Sequence, residues 1–236
     1  MAETNQEFTL WQHLDELRKR LLYAVIGIVV GIVISFVISD YTLQLLAQPI
    51  GGFEQLQSIE VTENVGVFMR VTLLGGVIVS LPFTLVQIFL FVRPGLKPKE
   101  RRWVLRALFL SFFLFLVGVV FAYAVMLPNA IPILVQFTGP QVLPNWKDYV
   151  NFVTNLIFWS GVCFEMPLIA FILAKFGIVS ARQLLKGWRI ALVVIAVAAA
   201  VITPTGDPIN MALLMGPLLL LYALSILLAS FARQEN

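Results

Sequence analysis

Charge is scarce in this chain. Asp, Glu, Lys and Arg make up 12% of its 236 residues, where a soluble domain carries about a quarter. With 60% apolar residues alongside, that shortage excludes an ordinary soluble protein. Cysteine is almost absent: the lone Cys163 allows no internal disulfide and no cysteine metal site. The single His13 cannot anchor a metal cluster, so neither a metal nor a cofactor is expected. No G-x-x-x-x-G-K-[ST] occurs, which argues against a nucleotide-driven pump within the chain. H-E-x-x-H, G-x-S-x-G and paired intramembrane Asp residues are missing too, so no catalytic set suggests an enzyme. The two halves show no repeat, which weakens an inverted-repeat transporter. Asp15 and Glu16 spoil the n-region of a cleavable leader. A net charge of +3 would suggest nucleic acid in a soluble protein; in this one the distribution of charge matters more, and no nucleic-acid partner is expected.

What is abundant is long apolar runs. They predict an all-α integral membrane protein, a single domain over 1–236, with spans at about 22–38, 65–92, 103–127, 150–176, 190–202 and 209–231. Lys and Arg gather around Arg18–Arg20, Arg93–Arg106, Lys175–Arg189 and Arg233, whereas the alternate loops hold only Lys147, with Arg70 at the edge of a span. By the positive-inside rule six helices cross and both termini face the cytoplasm.

Taken in order, residues 8–21 read as an amphipathic helix on the membrane surface. Thr9 and Gln12 would form its capping box, with Leu10, Leu14, Leu17 and Leu21 on one side and His13, Glu16 and Arg20 on the other. Asp15–Lys19 and Glu16–Arg20 stand at i,i+4, a spacing that by itself explains Glu16 as half of an ordinary helix ion pair. An acidic loop at 39–64 follows, broken by Pro49-Ile50-Gly51-Gly52. Pro82 is expected to kink the second span, and Arg70 to snorkel outward or pair with Glu63. After the basic link 93–102 and the third span comes a loop punctuated by Pro128, Pro132, Pro140 and Pro144. The segment 190–202 is short for a crossing, and Pro217 makes a straight sixth crossing doubtful, so the fifth and sixth helices are both expected to be short.

Glu165, within Gly161-Val162-Cys163-Phe164-Glu165-Met166-Pro167, is the only ionisable residue of the fourth span before Lys175. A carboxylate at that depth costs about 2.5–3.5 kcal/mol on insertion scales, and Pro167 removes a helical N–H two positions on. Together they suggest a polar pocket facing protein or water, or else a neutral or bonded acid that only locks packing.

The run His13-Leu14-Asp15-Glu16-Leu17-Arg18-Lys19-Arg20-Leu21 resembles the N-terminal signature of the TatC family, the core membrane subunit of the twin-arginine protein translocase. So do Phe91-Val92-Arg93-Pro94-Gly95-Leu96 with Lys99-Glu100-Arg101-Arg102, the stretch 161–167, and Thr203-Pro204 with Asp207. These matches lie in order across nearly the whole chain. Val61 stands before Thr62-Glu63 where the family often has Pro, and the tail after Phe231 is short.

The resemblance implies a cupped six-helix bundle in the prokaryotic inner membrane that acts as a receptor and scaffold and has no enzymatic activity. Its partners would be twin-arginine signal peptides of folded cargo, single-span TatA/TatB-type subunits, membrane lipid and further copies of itself. Export would be driven by the proton-motive force. Carried over by position, Glu16 and Glu100 receive the signal's arginines, with Arg18 and Phe91 in support. Glu165 is the buried acid, and Pro49, Asp207 and Glu63 are outer-loop positions for function and assembly. A guanidinium meets a carboxylate through two parallel hydrogen bonds and an ammonium does not, so two fixed acids can tell Arg-Arg from Lys-Lys. Glu100 has a plainer alternative, neutralising Arg101 or Arg102. The competing function is a proton-coupled small-solute carrier using Glu165, with Gln87, Thr154, Asn155 and Ser160 as its nearest polar groups.

Overall fold

The computed structural model describes residues 10–58, 60, 62–95, 98–138, 144–202 and 208–232. The structure is all-helical: α1 Leu10–Ala47, α2 Glu63–Val92, α3 Pro98–Phe121, α4 Leu127–Thr138, α5 Trp146–Phe164, α6 Met166–Lys175, α7 Ala181–Lys186, α8 Trp188–Ile202 and α9 Pro208–Ala232. Among the described residues, five stretches are long and apolar enough to cross a membrane, and α8, at 15 residues, is a sixth apolar helix. This is a multi-pass membrane protein.

Two boundaries depart from the sequence expectation. First, α1 is one helix of 38 residues, about 57 Å, so the expected surface helix has no hinge separating it from the first span. Between Glu16 and Leu22 lie only good helix formers, with neither Pro nor Gly to break the ladder. Thr9 lies outside the described residues. Second, the helix expected to stop near Leu127 continues to Thr138. Ala122–Met126 widens into a π turn, closed by the Leu127 N–H on the Ala122 carbonyl. Pro128 then falls in the first turn of α4, where its missing N–H is tolerated, and the Asn129 amide donates to the Val125 carbonyl (2.6 Å). α9, 25 residues, keeps the expected 209–231 bounds to within one residue and continues through Pro217, and its apolar stretch of 18, Leu214–Phe231, sits at the short end for a crossing. α2 likewise continues through Pro82.

The chain forms two compact units. One joins the chain up to Ile38 with Thr72–Phe112, the other Ser39–Val71 with the chain from Phe113. In the first, α1 and α2 meet through small residues, the packing that membranes favour because it lets backbones approach. A Cβ on Gly31 would collide with the Gly76 carbonyl oxygen, and one on Gly76 would lie 2.7 Å from the Ile32 Cα. In the second, α9 packs along α6, where Ala174 and Ala229 are buried among Phe171, Ala181 and Leu184, and the Tyr222 hydroxyl donates to the Leu184 carbonyl (2.6 Å).

The link between α1 and α2 is fastened inside the second unit. Pro49 lies in a 3-10 turn, Gln48–Ile50, that ends at Gly51 and Gly52 (φ 97° and 105°), backbone angles that favour glycine. Gln57 pairs both ways with the start of α5, its N–H on the Pro144 carbonyl and its own carbonyl receiving the Trp146 N–H (3.0 Å each). Tyr149 and Tyr123 donate to the carbonyls of Leu46 and Leu45 (2.7 and 2.9 Å), closing the end of α1 onto this layer.

Candidate functional site

In the first unit, the N-terminal end of α1 lies against the C-terminal end of α2. His13, Glu16 and Arg20 recur at three and four positions and so share a face. That face turns inward: His13 stacks on Phe91 with ring centroids 4.5 Å apart. Arg20 donates from Nε to Glu16 Oε1 at 2.7 Å and from its terminal nitrogen toward the buried Gln87 at 3.4 Å. Trp11, Leu14, Leu17 and Leu21 are the exposed side, Trp11 by 80%. A polar face pressed on protein and an apolar face turned out is the pattern of a helix immersed in lipid.

Of the sequence-expected site residues, Glu16 and Phe91 thus belong to one cluster, joined through His13, Arg20 and Gln87. Arg18 is exposed, two positions from Glu16 and so on the far side of the helix. Glu100 lies in the first turn of α3, and its side chain is outside the description. Asp207 lies outside the described residues. The Glu16–Arg20 pair leaves both side chains 24% exposed, within reach of water. The matching Asp15–Lys19 pair does not form; Glu16–Arg20 is the one ion pair among the described residues.

In the second unit, Glu165 sits at the break between α5 and α6, half-buried. Its N–H reaches the Val162 carbonyl (3.1 Å), and its carbonyl receives the Ile169 N–H (2.9 Å), so the ladder tightens for one turn and then resumes. The irregularity expected from Pro167 is therefore a break centred on the acid itself. Beside it, Gly118 and Gly161 bring α3 and α5 into backbone contact, with the Ser160 hydroxyl on the Gly118 carbonyl (3.0 Å).

Glu63 is 8% exposed, and its carboxylate accepts from Ser58 Oγ (3.3 Å) and Asn145 Nδ2 (3.1 Å). Asn145 is filled at both ends, because its Oδ1 also caps α5 by accepting from the N–H groups of Lys147 and Asp148. Arg70 does not pair with Glu63. Two helical turns separate the two on α2, and the Arg70 guanidinium instead crosses to α5, donating to Thr154 Oγ1 and Asn155 Oδ1 at 2.7 Å each. Sequence reasoning missed this cluster, although a lone arginine in one apolar run and an adjacent Thr-Asn in another were its signal.

The Sec-independent protein translocase protein (TatC) family model matches residues 12–217. The chain belongs to the TatC family. TatC of Carboxydothermus hydrogenoformans is 38% identical over 235 residues, covering 98% of this chain and 97% of the relative. That of Deinococcus radiodurans is also 38% identical, over 95% of this chain and 86% of its own. The crystal structure of a twin-arginine translocase receptor, TatC, superposes with a TM-score of 0.83 at 33% identity, covering 94% of this chain and all of that one. The resemblance read from the His13–Leu21 and Gly161–Pro167 motifs is thus correct, and this TatC-family chain is a component of a protein translocase.

Proposed function

We propose that this chain is the receptor and scaffold subunit of a twin-arginine translocase in a prokaryotic inner membrane, with both termini in the cytoplasm. Glu16 and Glu100 receive the two arginines of a signal peptide. Phe91 and Arg18 support that mouth, and Glu165 receives a polar group from the inserted signal or from a single-span partner. Pro49 and Asp207, with Glu63 where the first outer loop meets α2, serve function and assembly on the outer side. Transport is energised by the proton-motive force.

The observation that carries this reading is that Glu16 already holds a guanidinium. Arg20 lies on its carboxylate at 2.7 Å in a quarter-exposed pair that a guest can enter. An i,i+4 pair of this kind is worth only about 0.3–0.5 kcal/mol, so an incoming arginine with two parallel bonds can displace it. The carrier alternative loses its polar lining. Gln87 faces Arg20, Thr154 and Asn155 hold Arg70, and Ser160 holds the Gly118 carbonyl.

Photo-crosslinking from the Arg-Arg region of a signal peptide tests the reading. Glu16→Ala combined with Glu100→Ala is expected to lower the yield about 10- to 100-fold, the loss of charge-assisted hydrogen bonds. Undiminished crosslinking would remove both acids from the site.

A further inference from the structure

Arg70 is a cation in a membrane-spanning helix whose partners are neutral. Thr154 donates its own proton to the Val150 carbonyl (2.6 Å) and so meets Arg70 as an acceptor, and no carboxylate pairs with Arg70 among the described residues. The geometry of the two bonds is informative. Nε and the terminal nitrogen that reaches Asn155 lie on the same edge of the guanidinium plane, so α5 occupies the side of the fork. Three of the five N–H groups remain, two of them parallel on the end of the plane, the arrangement that receives an oxyanion bidentately. Arg70 is partly exposed, and among the described residues only Thr154 and Asn155 accept from its guanidinium.

Depth selects the anion. α2 has 30 residues, about 45 Å, against a hydrocarbon core of about 30 Å. A centred helix therefore projects about 7 Å beyond each side, and Arg70, seven residues or about 10 Å from Glu63, lies about 3 Å inside the boundary. An arginine side chain spans that distance to the headgroup layer.

We propose that Arg70, held flat by Thr154 and Asn155, binds the phosphodiester of a phospholipid headgroup. The site is separate from the receptor mouth and does not rest on the proposed receptor role. An anionic headgroup binds better than a zwitterionic one, whose choline ammonium competes for the same phosphate.

Native mass spectrometry of the delipidated chain, titrated with phosphatidylglycerol, tests this. The wild type is expected to hold one phosphatidylglycerol about tenfold more tightly than Arg70→Gln, with Arg70→Lys between them because it keeps the charge without the fork. Phosphatidylcholine is expected to bind more weakly, and millimolar inorganic phosphate to leave the adduct intact. Asn155→Leu keeps the cation but frees its plane, and is expected to weaken the adduct several-fold; it serves as the test should Arg70→Gln fail to fold. An adduct unchanged in either variant would overturn the proposal, and displacement by inorganic phosphate would overturn the lipid assignment.

Discussion

Glu63 and Glu16 are both carboxylates near the end of a membrane helix, and they are held in opposite ways. Glu63 is 8% exposed and receives neutral donors from Ser58 and from Asn145, the residue that caps α5. It also opens α2, where the helix dipole favours a negative charge. Glu16 is 24% exposed and meets a single arginine one turn along its own helix. The first acid is buried and cannot lose its donors without leaving a carboxylate unsatisfied out of water, whereas the second exchanges partners at small cost. Burial and donor type thus distinguish an acid that holds loops together from one available to a guest, a difference that residue identity alone does not reveal.

The two largest expected effects are of equal size, the first at Glu63. Glu63→Leu removes the acceptor that ties Asn145 at the start of α5 to α2 and should lower stability by about 1–3 kcal/mol in SDS unfolding, with Glu63→Gln at about 1 kcal/mol or less because an amide still accepts one bond. A loss below a few tenths would break the contrast. Next comes the helix contact that supports the Glu16 face. Gly31→Val drives a branched side chain into the Gly76 carbonyl and should cost about 1–3 kcal/mol in the same assay, with weakened His13–Phe91 stacking visible in the His13 ring resonances. Smallest is Glu16→Gln, which should change stability by less than about 0.5 kcal/mol and erase what little salt dependence the pair contributes.

Much of this was legible in the sequence. The apolar runs, the break at Glu165–Pro167, the glycine turn after Pro49 and the short α8 all follow from local chemistry, and the His13–Arg20 and Phe91–Gly95 motifs pointed to the family. What the sequence hid was long-range. Whether Arg70 turns to Glu63 on its own helix or to Thr154 and Asn155, 84 and 85 positions away, depends on how α2 packs against α5. The π turn at Ala122–Met126 was equally hidden, because Pro128 alone signals a helix end and only the widened turn before it lets the helix continue. The two sides of α1 were legible, but not what covers each. Leucine spacing marks an apolar side without saying whether lipid or protein covers it, and the inward side carries His13, Glu16 and Arg20.

The most direct test is the affinity of a fluorescent Arg-Arg signal peptide and its Lys-Lys twin for the purified chain with Glu16 or with Glu16→Gln. A strong preference for Arg-Arg in the native chain that falls to near parity in the variant is the predicted result. An equal preference in both would mean that Glu16 serves Arg20 alone and that the guest's arginines are read elsewhere.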